Sequence, residues 1–352
     1  MKDTYSTSPH PSPGGYATPA IEDYSSGSPD ITHSRSAFEL SLPDMRLLHH
    51  WTTYGYRALN QNLAARSDIW QNGMVELGFE HPFLLHGILA LSAVHKASFL
   101  VPTNRQDLLL QADMHISQAL DTMRTYLSSP NEQQAVPMFV LSSVLLTYNF
   151  GSVQEKPEDP IGSVHHCLML LSGIKVVIGA HWQRIVNTPG LENMLEMSSP
   201  TTLQALDALA QDDKYLEIMR LMELTELVLD AQDKTICTEA IEALNDIAVR
   251  FQHIGPEYDK YPYMFLWPAR VSTRFLHLLA AHSPVACIVT VHWAALLAQV
   301  PPEWWIVKWP RYILSASEQL LAATPHLLSW LDWPRSIIES APWSTAATPT
   351  SS

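Results

Sequence analysis

Apolar residues recur at three- and four-residue steps along most of this chain, and proline marks the breaks between periodic stretches. Met45, Leu48, Trp51, Gly55, Ala58, Leu59 and Leu63 trace a first helical stripe, with Pro43 suited to its opening turn. Ser67-Asp68 is placed to cap a short helix running to Leu77. Pro82 then opens a helix from Phe83 to Leu100 that is apolar nearly all round. Such a helix has no face to give to water and is expected in the core. Thr103 is the expected cap of the next helix, striped by Leu108, Ala112, Ile116, Leu120, Met123 and Leu127. Further helices are predicted over 133–150 and 161–180, with two or three between 200 and 251. The last third is predicted helical over 263–281, 284–300, 302–324 and 325–340. No sustained period-two alternation signals a strand. The expected fold is all-α: a single large antiparallel helical domain over 39–341, with short proline-marked loops.

The ends read differently. Residues 1–38 are rich in Ser, Pro, Thr and Gly and nearly lack aliphatic side chains, so they are predicted to be a disordered tail. Residues 342–352 are a second, shorter disordered tail. The start of the chain has no apolar segment of the kind a signal peptide needs. The longest apolar run, Val285–Val300, is shorter than a bilayer span and contains His292 and Gln299, so a buried helix is expected and no membrane span.

Charge narrows the choice of partners. Asp and Glu number 35 against 21 Lys and Arg, for a net charge of −14, and the basic residues are scattered. A duplex-binding surface needs clustered cations to displace counterions from phosphates, so direct nucleic-acid binding by this chain is not expected. Cys167, Cys237 and Cys287 are too few and too far apart for a disulfide framework and fit a reducing compartment.

Candidate chemistry is sparse. The chain has 16 His, yet no two lie three or four residues apart, the spacing at which one helix face presents two metal ligands. His49-His50 and His165-His166 are adjacent and point to different faces, and His277 and His282 are five apart. The sequence His165-His166-Cys167 is not a nucleophile with its base, because neighbours on a helix diverge. No serine-nucleophile elbow, phosphate-binding loop or dinucleotide fingerprint occurs. Asp212-Asp213 lacks the later acid that a magnesium–diphosphate motif requires, and Val249 stands where the motif begun by Asn245-Asp246 needs a hydroxyl. No catalytic, cofactor-binding, metal-binding or DNA-binding residue is therefore assigned, no cofactor is expected, and any ligand pocket stays unmapped. Eight of the 11 Trp lie from Trp267 onward. They suit either a packed core or the wall of a lipid-like pocket, and both readings stay open.

Three blocks carry a family resemblance. The first is Leu47-Leu48-His49-His50-Trp51-Thr52-Thr53-Tyr54, followed by Trp70-Gln71. The second is Phe79-Glu80-His81-Pro82-Phe83-Leu84-Leu85-His86-Gly87, running on to His95. The third is Trp267-Pro268, Pro284-Val285-Ala286, His292-Trp293-Ala294-Ala295-Leu296-Leu297, Trp304-Trp305, Trp309 and Trp333-Pro334. Together they resemble the regulatory domain of fungal binuclear-zinc-cluster transcription factors, in particular the sterol uptake control branch. The resemblance implies a helical, effector-sensing regulator, not an enzyme, active in the nucleus and exchanging with the cytoplasm. It implies a sterol-like or other apolar small-molecule ligand, and control of sterol or secondary-metabolite genes. A homodimer, or a heterodimer with a full-length regulator, is expected. The family's six-cysteine zinc cluster has no counterpart in these residues, so a regulator body without its own DNA-reading module is expected. The alternative is a cofactor-free enzyme performing cyclisation or isomerisation in an apolar helical cavity.

Overall fold

The computed structural model describes residues 40–59, 69–129, 131–153, 155–188, 215–255 and 260–342, with a few isolated positions between 191 and 208. Among the described residues there are fifteen α-helices with short 3-10 and π turns, and no strand, as the periodicity requires. Residues 1–38, Ser67-Asp68, Asp212-Asp213 and 343–352 lie outside the described residues, and the tail boundaries remain sequence expectations.

Helix α1 (Leu42–Thr53) opens with a reciprocal cap. The Ser41 hydroxyl accepts from the Asp44 N–H at 3.3 Å, and the Asp44 carboxylate accepts from the Ser41 N–H at 3.0 Å. Its apolar stripe was expected to run on to Leu63, but the helix stops at Thr53 and a 3-10 turn, Gly55–Leu59, follows. At Gly55 an added Cβ would lie 3.1 Å from the Trp51 ring, so this glycine lets the chain turn tightly over that indole. A π turn, Ile69–Gly73, leads into α2 (Met74–Glu80) and then α3 (Pro82–Ser98). Between Phe83 and His95 every residue of α3 is buried except His86, which is half-buried. Thr103 does not cap α4 (Gln106–Ser128). The fixed φ of Pro102 favours a 3-10 turn over Pro102–Asn104, and this draws Thr103 inside the turn, where its hydroxyl bonds Asn104.

Helix α5 (Ala135–Ser152) lies two residues beyond the expected 133–150, and α6 (Pro160–Val186) runs past the expected end at 180. Asp159 caps α6 by accepting from the Gly162 N–H at 2.8 Å. The short α7 (Leu216–Met219) passes into a 3-10 turn, and α8 (Ala231–His253) follows its Asp230 cap. The single helix expected over 263–281 is three: α9 (Tyr261–Met264), α10 (Leu266–Arg270) and α11 (Thr273–Ala280). Pro268 withholds the N–H that a continuous ladder would give to the Met264 carbonyl, Val271 turns to extended backbone, and Ser272, also extended, caps α11. The chain bends 105° into α12 (Pro284–Leu297) through His282, whose φ is 55°. Helix α13 (Trp309–Leu321) starts later than the expected Pro302: the Glu303 N–H donates to the Tyr261 hydroxyl, and 304–308 form turns in which the Ile306 and Val307 N–H groups donate to the Glu303 carbonyl. The end of the fold is α14 (Pro325–Leu328), a 3-10 turn and α15 (Asp332–Ser340).

Two largely buried helices organise the packing. α3 lies against α1, α2, α4 and α5. α12, buried at every residue from Val285 to Leu297, lies against α8, α11, α13 and α15. α6 joins the two groups by packing on α5 on one side and on α10, α11 and α13 on the other. Each Leu, Ile or Val so covered is worth on the order of 1.5–3 kcal/mol relative to exposure. One described segment, Glu132–Ser152, is long and apolar enough to cross a bilayer, and 67% of its most apolar stretch is buried inside the helical body.

Candidate functional site

A surface groove of about 390 Å³ runs between α1 and α2. Met45 and Leu48 of α1 and Val75 and Phe79 of α2 give it apolar walls, while His49, Thr52, Gln71, Asn72 and Glu76 supply polar atoms. Met45 and Phe79 are about half exposed, at 49% and 50%. The groove is held open from beneath: the Gln71 amide donates to the Thr52 carbonyl at 2.7 Å, and the Trp51 indole donates to the Trp70 carbonyl at 2.9 Å. These two bonds tie α1 to the π turn without filling the space between the helices.

A second, polar cleft of about 530 Å³ lies where α5, α6 and α13 meet. Glu158, Asp159, Ser163 and His166 line its rim, and the buried Cys167 and Trp309 its floor. Asp159 is already engaged, as the α6 cap and as a partner of His282 at 3.3 Å. Burial pushes the Cys167 thiol up to about 12, so it is no nucleophile at neutral pH. His165 and His166 diverge as expected, the first half-buried and the second exposed. Burial likewise raises Cys287 to about 12 and Cys237 to about 11.

Histidines meet where single-helix spacing could not reveal it. His50 Nε2 of α1 lies 3.0 Å from His95 Nδ1 of α3, and the Trp304 ring packs against His95 at 5.1 Å. His86 Nδ1 of α3 lies 2.9 Å from His115 Nδ1 of α4, and His115 Nε2 lies 3.0 Å from the Asp44 carboxylate. Burial alone would raise Asp44, but the Ser41 backbone and hydroxyl, Gln111 and His115 outweigh it and hold the carboxyl below its ordinary value. An ionised Asp44 can only accept, so His115 carries its proton on Nε2. The 2.9 Å contact with His86 Nδ1 then needs a proton on one of the two facing Nδ1 atoms and a lone pair on the other. Burial depresses His50, His86 and His95 to about 4, so all three are neutral near pH 7. Among the described residues no group of three or more His, Cys, Asp and Glu could hold a metal ion.

Four tryptophans of the last third, Trp267, Trp293, Trp305 and Trp309, are buried in the core. Trp267, Trp293 and Trp309 are at most 1% exposed. Each indole N–H donates to a main-chain carbonyl, of Ala240, Met264 and Phe150 respectively, at 2.8–3.0 Å. The Asn245-Asp246 motif is also structural: Asn245 accepts from the Tyr215 N–H, Asp246 pairs with Arg250 and Arg270, and Val249 is buried.

No family model matches the chain. A Zn(2)-C6 fungal-type transcription factor of Gibberella zeae is 22% identical over 307 residues, 83% of this chain and 59% of that protein. Sterol uptake control protein 2 of Saccharomyces cerevisiae is 39% identical over 56 residues, 16% of this chain and 6% of that protein. The Candida albicans protein of the same name is 38% identical over 56 residues, 16% of this chain and 8% of that protein. The homologues of this chain are fungal Zn(2)-C6 transcription factors and sterol uptake control proteins. The chain spans about 59% of the length of the first and under a tenth of the other two. The long alignment to the Zn(2)-C6 homologue is 307 residues, too long to omit either α3 or α12, and it therefore concerns the helical body as a whole rather than one motif.

Proposed function

We propose that the chain is the effector-sensing helical body of a fungal transcription regulator, acting on sterol or secondary-metabolite genes through an apolar small molecule and protein partners. The observation that carries the reading is the 307-residue similarity to a Zn(2)-C6 transcription factor, spread over a helix-only body. The relatives are transcription factors rather than enzymes, which favours a regulator over a cyclase. In this reading residues 39–341 are the sensing domain, flanked by tails at 1–38 and 342–352. The protein works in the nucleus, and it reaches promoters as a dimer, with itself or with a full-length regulator. Its net charge of −14 supports leaving DNA contact to that partner.

The groove between α1 and α2 supports the ligand part of the proposal, since apolar walls with a few polar atoms suit a largely hydrocarbon molecule bearing one hydroxyl. The test uses the purified chain with a fluorescent sterol, alongside expression of the chain in a fungal host with transcript profiling. Saturable binding that is lost on Val75→Trp, together with changed sterol or secondary-metabolite transcripts, supports the reading. Conversion of an added lipid by the protein, with transcripts unmoved, favours the cofactor-free enzyme. Tight sequence-specific binding to promoter DNA by this chain alone overturns the indirect route.

A further inference from the structure

α1 meets histidines at both ends, and a proton breaks only the contact near its C-terminal end, because one added to His115 leaves its Nε2–H on Asp44 in place. Near its C-terminal end His50 meets His95 of α3; near its N-terminal end Asp44 meets His115 of α4, which in turn meets His86 of α3. Other attachments do not lose a bond to acid in this range: the Ser92 hydroxyl donates to the Leu47 carbonyl at 2.7 Å, Gln71 and Trp51 bond α1 to the π turn, Gln111 donates to Asp44, and Leu47 and Trp51 are buried. A bond between two imidazole nitrogens needs one proton and one lone pair. When both rings are protonated the lone pair is gone, and two N–H groups and two positive charges face each other at 3.0 Å.

We propose that the His50–His95 pair makes α1 a proton-sensitive latch, so that acidification detaches α1 from α3 and removes one wall of the surface groove. This rests on the side-chain geometry and stands apart from the regulator reading.

The charged surroundings set the direction. Lys96 of α3 and His49 of α1 oppose a proton on His50, and His50 opposes one on His95. Asp44 of α1 favours a proton on His86 while His115 of α4 opposes it. Asp113, the other acid on this side of α4, is engaged by the Tyr148 hydroxyl of α5. α2 contributes Glu76 at the groove and Glu80 beside His81. The segment before α13 contributes the uncharged Trp304 ring, and Lys308, which feels Arg105 and Glu155. In the attached state burial keeps His50 and His95 neutral down to about pH 4. Once α1 leaves, both regain an ordinary imidazole affinity, near 6.5. The detached state therefore binds more protons between those limits, and detachment becomes easier as pH falls from about 6.5 toward 4. Each histidine that takes up a proton multiplies the opening equilibrium roughly tenfold per pH unit in that window, so the pair gives at most about a hundredfold.

Amide hydrogen exchange on the full chain between pH 7 and pH 5, corrected for intrinsic rates, reads this directly. The expected result is a rise in the opening of Leu47–Thr53, relative to α8, of about ten- to a hundredfold per pH unit below 6.5. The double variant His50→Gln, His95→Gln keeps an N–H···O bond without titrating and is expected to flatten that slope. A wild-type slope equal to that of α8 overturns the proposal. Should the double variant not fold, nitrogen NMR of the native imidazoles decides. Rings of His50 and His95 still neutral at pH 5 support the latch, and titration near 6.5 with α1 amides still protected overturns it.

Discussion

Replacing Gly151 with alanine tests whether the seam between the two helical groups is packed as tightly as it looks. Gly151 is the penultimate residue of α5 and is buried. A Cβ there would lie 2.6 and 2.8 Å from two ring carbons of Trp304 and 3.2 Å from the Trp305 Cβ. These are about an ångström inside ordinary contact, and an indole is a rigid plate that cannot yield by rotating one bond. Trp304 cannot retreat freely, since its ring packs on His95, and Trp305 is stacked on Phe265 at 5.8 Å and 26°. The overpacking costs about 1–3 kcal/mol. Against it stands the helix-propensity gain of Ala over Gly, at most about 1 kcal/mol and smaller so near a helix end. The net expectation is a loss of about 1–2 kcal/mol. Gly179 of α6 is the control, exposed and with no atom within 4 Å of an added Cβ. There the same substitution should gain about 0.5–1 kcal/mol. Urea unfolding of the two variants and the parent, at matched slope, gives both differences. Equal stabilisation by Gly151→Ala and Gly179→Ala would refute the packing argument.

Three further outcomes follow from the packing. Trp309→Phe removes the N–H that satisfies the Phe150 carbonyl, one of the orphan acceptors at the end of α5, and should cost about 2–4 kcal/mol in urea unfolding. Trp330→Phe, at a half-buried ring stacked by Arg220, should cost under about 1 kcal/mol. Cys167, Cys237 and Cys287 are buried with raised thiol pKa values, so a thiol reagent at pH 8 should label none in the native chain and all three in denaturant.

The helices themselves were legible because α3 and α12 carry almost unbroken apolar residues, and such a helix has one physical outcome in water: it becomes the centre that others cover. Their ends were less legible. Prolines announced that breaks would occur, but not that the stretch over 263–281 would break after Met264 and again at Val271-Ser272, or that α13 would wait until Trp309. Those outcomes depend on which carbonyls and side chains are near enough to satisfy the freed ends, and this is tertiary information. The histidine pairs were hidden for the same reason. Spacing along one helix reports only on that helix, whereas His50–His95 and His86–His115 each bridge two. The one sequence signal was circumstantial: two histidines, His86 and His95, sit inside the apolar block that opens at Pro82, and a polar ring in a fully covered helix must find a partner.

The tryptophans show how geometry decides between two readings that composition leaves equal. A packed core and a lipid-lined cavity call for the same residue types, so counting aromatic rings cannot separate them. The indole N–H can. A ring facing a ligand cavity keeps its donor for the ligand or for solvent, while a structural ring uses it to satisfy a main-chain acceptor that burial would otherwise orphan. Trp267 and Trp293 donate to carbonyls in α8 and α9, and Trp309 donates across to the end of α5. Each of these bonds joins elements distant in sequence, and the rings stack among themselves, Trp267 on Trp293 at 5.7 Å. The buried Trp305 Nε1 has no hydrogen-bond partner, but Trp267, Trp293 and Trp309 are the fastening of the C-terminal half and leave no indole donor for a ligand. That moves attention to the groove on α1, whose apolar walls are half exposed and whose supporting helix is held in part by a bond a proton can undo.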